Sequence, residues 1–159
     1  MGGRPTDDVF HDVTVPTIHR FDATLCEVEL PTFPVHAALV DEWRSQDLRP
    51  ALSESIASGP LGRVYAEHPV VQSARPDECV WPYAIYVDGF TYRRHDNIIA
   101  YYAHSLPTNT RHLLAAVRSS ELCSCGCRGW CTVYPIWLMI AWSIETLFTG
   151  KWPSTREAG

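Results

Sequence analysis

The chain reads as an α+β fold: a short antiparallel β-meander covered by a C-terminal amphipathic helix, with a cysteine-rich knuckle between them and a helical or irregular N-terminal region. Three observations predict it. Aromatic and β-branched residues crowd residues 81–92 and recur in 98–104, which is strand composition. Residues 136–148 repeat apolar side chains at helical spacing. Between them, residues 123–131 read CSCGCRGWC and hold four of the six cysteines.

At 159 residues, 46% hydrophobic and 19% charged, the chain suffices for one domain with a core but not for two. A net charge of -5 argues against a protein that coats nucleic acid generally. The charge is uneven, however. Residues 1–80 carry 6 Lys/Arg against 13 Asp/Glu, while residues 81–159 carry 7 against 5, so a polyanion meets the second part first. The chain therefore divides into an acidic N-terminal arm with short helices, 1–80, and a meander, knuckle and helix, 81–159. The acidic, proline-interrupted start lacks a secretory signal pattern. Residues 133–148 are too short for a membrane span and include Ser143, Glu145 and Thr146. The expectation is an intracellular protein, cytoplasmic or nuclear, with no membrane partner and with reduced thiols.

Taken in order, residues 1–34 contain Pro5, Pro16, Pro31 and Pro34 and predict an irregular arm, with an edge strand at 24–30. Val35, Leu39, Val40 and Trp43 predict a helix over 35–46. A second helix is expected at 50–58, stopped by Gly59-Pro60, and 60–80 reads as a connecting loop. Strands follow at 81–92 and 98–104. Residues 112–118 suit a strand after the turn residues 107–110, although Leu113–Ala116 suit a helix equally well. The last helix begins near Pro135, placing Ile136, Trp137, Ile140, Ile144, Leu147 and Phe148 on one side. Ser143, Glu145, Thr146 and Thr149 fall on the other, and Gly150 and Pro153 end it.

The cysteines carry the clearest chemistry. Thiolates bind zinc at about 2.3 Å in a tetrahedron, so their sulfurs must approach to about 3.8 Å. A straight strand spreads Cys123 and Cys127 about 13 Å apart; Gly126 and Gly129 supply the backbone freedom to bend it. Cys123, Cys125, Cys127 and Cys131 are thus candidate ligands of a structural Zn2+, with Cys79 or His112 as substitutes and Arg118 or Arg128 to offset charge. A disulfide such as Cys127–Cys131 is the alternative. Asp88-Gly89 is a hairpin-turn signal. Alternatively Asp88 is an acid on a strand, which with Glu145 would hold catalytic Mg2+. Arg93, Arg94 and Arg111 are candidate phosphate contacts, with Trp130, Tyr134 and Trp152 as stacking partners for bases.

The segments Tyr86-Val87-Asp88-Gly89, Arg111-His112-Leu113, CSCGCRGWCT at 123–132 and Ala141-Trp142 resemble a family of uncharacterised proteins expanded in unicellular algal genomes, themselves similar to remnants of mobile-element transposases. The resemblance covers about residues 60–153. It implies a ribonuclease-H-like core with Asp88 matching the first catalytic acid. A complete core needs a further strand, more helices and more acids, so the expectation is a non-catalytic or truncated, zinc-stabilised fragment. A nucleic-acid- or protein-binding module, and a divalent-metal-dependent nuclease using Asp88, are the alternatives.

Overall fold

A computed structural model describes residues 10–19, 21–45, 47–58 and 61–150. Pro5, the stop expected at Gly59-Pro60, and Trp152 and Pro153 lie outside the described residues.

The arm is more regular than its prolines predict. Strands β1 (His11–Ile18) and β2 (Leu25–Thr32) pair antiparallel, from His11 opposite Thr32 to Ile18 opposite Leu25. In a two-stranded sheet each strand has an unpaired edge, which accommodates Pro16 and Pro31. The connection is closed by Asp22, whose Oδ1 accepts from the Thr24 hydroxyl (2.7 Å), the Thr24 amide (3.1 Å) and His19 Nδ1 (2.8 Å). Those bonds, the Thr24 hydroxyl foremost, hold the Asp22 carboxyl at about 2.

Helices α1 (Val35–Ser45) and α2 (Arg49–Ser58) lie close to the expected 35–46 and 50–58, the first where the apolar spacing puts it and the second with Pro50 in its first turn. Residues 60–80, expected as a loop, instead form two short helices, α3 (Gly62–Ala66) and α4 (Pro69–Ser73). Local capping accounts for α4: Pro69 opens it, and His68 Nδ1 accepts from the Val70 amide at 3.3 Å.

The meander is β3 (Tyr83–Arg93), β4 (Asp96–Ser105) and β5 (Thr110–Arg118), in the order β3-β4-β5. The turn reading of Asp88-Gly89 is overturned. Both residues lie inside β3, opposite Ala100 and Ile99, and the chain reverses at Arg94-His95, where His95 takes φ +83. The later turn lets Phe90 and Thr91 pair with Ile98 and Asn97, extending the ladder by bonds that an earlier turn would forfeit. Residues 112–118 take the strand alternative. A register shift at Tyr101/Tyr102 leaves Leu114 between Leu113 and Ala115, and Leu114 and Ala115 both enter the core.

Helix α5 spans Trp130–Thr149, so it starts well before residue 136 and contains Pro135. Its buried residues are Thr132, Ile136, Met139, Ile140 and Ser143. The expected assignment of sides is corrected at two positions: Ser143 is fully buried and Phe148 is 81% exposed. Nearly every residue around 136–148 is apolar, so a wheel of that segment has no polar face sharp enough to set its phase. Packing sets it instead. The helix is also long and apolar enough, at 20 residues and mean hydropathy 1.3, to cross a membrane by length and composition. The shorter 133–148 window understated its length.

One core joins the parts. Val15 of β1, Val35 of α1, Tyr101 and Ala103 of β4, Leu114 and Val117 of β5, and Ile136, Met139 and Ile140 of α5 pack together. Residues before and after position 80 therefore share it. Two polar links reinforce the packing. The Phe33 amide donates to the Leu114 carbonyl (2.7 Å), and the His36 amide donates to Ser143 Oγ (2.9 Å). Ser143 Oγ also lies within hydrogen-bond distance of His36 Nδ1, at 2.9 Å. Burial first, and then His11, bring His36 down to about 4, so it is neutral at physiological pH.

Candidate metal centre

The segment between β5 and α5 bends through three left-handed residues, Gly126 (φ +95), Arg128 (φ +57) and Gly129 (φ +84). Only glycine takes such angles without cost, so two of the three positions have the residue that the backbone asks for. The bend carries Cys123, Cys125 and Cys127 back toward the first turn of α5, which contributes Cys131. The four Sγ atoms all lie within 4.8 Å of one another, with Cys125 and Cys131 3.7 Å apart. That spacing is close to the edge of a tetrathiolate tetrahedron. Among the described residues this is the one set of His, Cys, Asp or Glu groups placed to hold a metal ion.

Backbone and hydroxyl groups fix the site to the rest of the fold. The Cys131 amide, at the start of α5, donates to Cys127 Sγ at 3.4 Å. The Cys123 amide donates to Thr132 Oγ1 at 2.9 Å, and the Thr132 hydroxyl donates to the Pro16 carbonyl at 2.5 Å. Thr132, fully buried, thus ties the first ligand, the helix and β1 into one joint. Nothing in the spacing of cysteines marks it, although its place at i−4 from Ile136 on the buried stripe is a legible signal.

Electrostatics within the cluster pull the thiols in opposite directions. The Cys131 amide, foremost, brings Cys127 down to about 6, whereas hydrogen bonds with Cys127 and Cys125, followed by burial, push Cys131 up to about 12. Cys123 is also raised, although a backbone bond in the Cys125 region, the largest single influence, opposes the rise. Four thiols this close cannot all ionise against one another, so full deprotonation calls for a cation at their centre.

The other predicted site residues do not converge. Cys79 is exposed, and His112 Nε2 lies 3.3 Å from Glu42, so neither substitute joins the cysteines. Arg128 is exposed, and Arg118 pairs with Glu121 at 3.5 Å. Asp88 is exposed on β3. Its neighbour Val87 pairs with Tyr101, whose ring packs against Trp137 of α5, so strand alternation puts Asp88 on the opposite face of the sheet. Glu145 is exposed on α5 itself. Sheet and helix separate these two acids. Arg93 and Arg94 lie at the β3–β4 turn and Arg111 on β5, whereas Trp130 and Tyr134 pair with each other on α5 at 5.8 Å.

A second polar cluster was not foreseen. Glu42 of α1, 4% exposed, accepts from Tyr83 Oη at 2.5 Å and from the Thr108 hydroxyl, and faces His112 Nε2. Thr108 and Ser105 hydroxyls lie 2.7 Å apart, and Ser105 accepts from Trp81 Nε1 at 3.0 Å. With one proton per hydroxyl, the consistent chain runs Trp81 to Ser105 to Thr108 to Glu42. Burial pushes the Glu42 carboxyl up, but hydrogen bonds, those from Thr108 and Tyr83 foremost, hold it below its ordinary value. Burial and Glu42 raise Tyr83. The signal was the spacing Val35, Ala38, Glu42, which puts an acid on the buried stripe of α1.

A cleft of about 350 Å³ between the hairpin and the sheet is lined by Val15, Val28, Leu30, Ile98 and Val117, with Arg118 and Glu121 as its charged lining. Neither Asp88 nor Glu145 lines it.

Gly129 gives a local test of the bend. A Cβ there would sit 2.9 Å from Leu122 Cδ1 at a left-handed φ, whereas one on Gly126 would meet nothing within 4 Å. Gly129→Ala is expected to cost about 1–3 kcal/mol in urea unfolding of the reduced protein and Gly126→Ala about 1 kcal/mol. Equal losses would mean that Leu122 does not press on this position.

No protein-family profile matches the chain, and neither the curated proteins nor the solved structures contain a significantly similar one.

Proposed function

We propose that this chain is a zinc-stabilised, non-catalytic α+β domain in which Cys123, Cys125, Cys127 and Cys131 close a structural Zn2+ site that clasps α5 to the sheet. The observation that carries the proposal is the convergence of four sulfurs within 4.8 Å. Four thiolates fill a tetrahedron and leave no open position for water, which is the structural kind of zinc site rather than the catalytic kind. The separation of Asp88 from Glu145 by the sheet and α5 supports the non-catalytic half. Derivation from a transposase-like core belongs to this proposal on the resemblance of residues 60–153 alone.

Zinc when bound supplies cross-linking, not chemistry on a substrate. The chain's own residues do the rest: Gly126 and Gly129 shape the loop, the Cys131 amide favours the Cys127 thiolate, and Thr132 anchors the joint to β1. Treatment of the reduced protein with excess chelator is expected to lower the thermal midpoint by more than 10 °C, on the scale of about 4–8 °C per kcal/mol for domains of up to 100 residues and somewhat less for larger ones. Re-addition of Zn2+ should restore it. A midpoint indifferent to chelator would reject the clasp.

A further inference from the structure

The face of the meander turned away from α5 carries chemistry that the zinc clasp does not use. By the register, Tyr86, Asp88, Phe90 and Tyr92 of β3, Tyr102 and His104 of β4, and Arg111, Leu113 and Arg118 of β5 share that face. Tyr86 and Tyr102 stack across the strands with centroids 5.2 Å apart and planes at 19°. Phe90 is 46% exposed and Tyr92 45%. The guanidinium groups of Arg93 and Arg118 stand 5.2 and 5.3 Å from the Tyr92 ring, and Arg111 is exposed at the far strand. Within β3, β4 and β5 the acids on this face by alternation are Asp88 and Asp96, the latter close to Arg118 at the edge by the β3–β4 turn.

We propose that this sheet face binds single-stranded nucleic acid, with Tyr86, Phe90, Tyr92 and Tyr102 stacking on bases and Arg111 and the Arg93-Arg94 turn pairing with phosphates, Arg118 being held by Glu121. An aromatic row flanked by arginines matches a ligand that is flat and apolar at one end of each unit and anionic at the other. Spacing selects single strands. Successive side chains on one face of a strand stand about 6.8 Å apart, twice the 3.4 Å rise of stacked bases in a duplex, so the rings meet bases only when those are unstacked. The inference extends the non-catalytic reading above and uses none of the four cysteines.

The test is fluorescence anisotropy of a labelled 12-nucleotide oligo-dT and oligo-U with the full-length reduced chain across a salt series, on preparations whose circular dichroism is native. The expected result is binding that weakens with salt and at least tenfold preference over a duplex of the same length. Phe90→Ala and Tyr92→Ala, both at exposed positions, should each weaken binding about tenfold. Arg111→Gln should flatten the log–log salt slope by about 0.7, and Asp88→Asn should tighten binding about twofold by removing a like charge. The proposal is overturned if the native chain binds neither oligonucleotide at low salt, if Phe90→Ala and Tyr92→Ala bind as the unmodified chain does, or if duplex binds equally well. Zinc measured in the same preparation keeps the two readings distinct: metal present with no binding sinks the platform alone, and binding without metal sinks the clasp alone.

Discussion

Cys127→Ser is expected to lose the metal and with it most of the stability of the domain. A serine hydroxyl stays protonated at neutral pH and cannot replace a thiolate, so three sulfurs remain around a site built for four. Structural zinc contributes about 10–16 kcal/mol of apparent binding free energy in small peptides, against a total stability of about 5–15 kcal/mol for a typical domain. Losing even a third of that leaves little folded protein. The effect should concentrate where Cys127 acts, at the start of α5, whose Cys131 amide donates to its sulfur and whose Thr132 is bonded to β1. Helical circular dichroism and the thermal midpoint are the measurements. Cys79→Ser, at an exposed position outside the cluster, is the control and should change neither. Equal midpoints for the two variants would show that the cluster does not hold the fold.

Glu42→Ala is expected to be the largest loss among substitutions outside the cysteines, about 3–5 kcal/mol by urea unfolding. It strands the Tyr83 hydroxyl, the Thr108 hydroxyl and His112 Nε2 in the interior without their shared acceptor. Their bonds to a charged group contribute about 1.5–3 kcal/mol each but are not additive. The pH dependence has a definite sign. The folded carboxyl is held below 4.5, so its contribution is fully present above that pH and disappears as the pH falls through the lowered folded value. Thiolates also take up protons in acid, so the comparison is between the native chain and Glu42→Gln. The stability gap between them should be constant above pH 5 and narrow below pH 4.5. A gap that widens on acidification would mean that Glu42 is protonated in the folded state.

The elements legible in the sequence are those whose signal is local. Val35 to Trp43 repeats at helical spacing and becomes α1, while the aromatic and β-branched runs become β3 and β4. Four cysteines with Gly126 and Gly129 between them mark the candidate metal centre in the sequence itself. What escaped depends on partners distant in sequence. Asp88-Gly89 has the composition of a turn, yet the ladder to Ala100 and Ile99 outweighs it. Pro16 and Pro31 disguise a hairpin that two edge strands tolerate. Ser143 looks solvent-facing until His36, more than a hundred positions earlier, supplies its partners. The outer sheet face was only half visible. Arg93, Arg94 and Arg111 stood out as charges, but the alignment of Tyr86, Phe90, Tyr92 and Tyr102 with them follows from a strand register that no local pattern gives.

The central claim, a four-thiolate zinc clasp, is tested most directly by the metal content of the purified, reduced protein, measured by inductively coupled plasma mass spectrometry. One zinc per chain, retained through dialysis and absent from Cys127→Ser, is the predicted result. A folded chain that carries no metal, or iron in place of zinc, would contradict it.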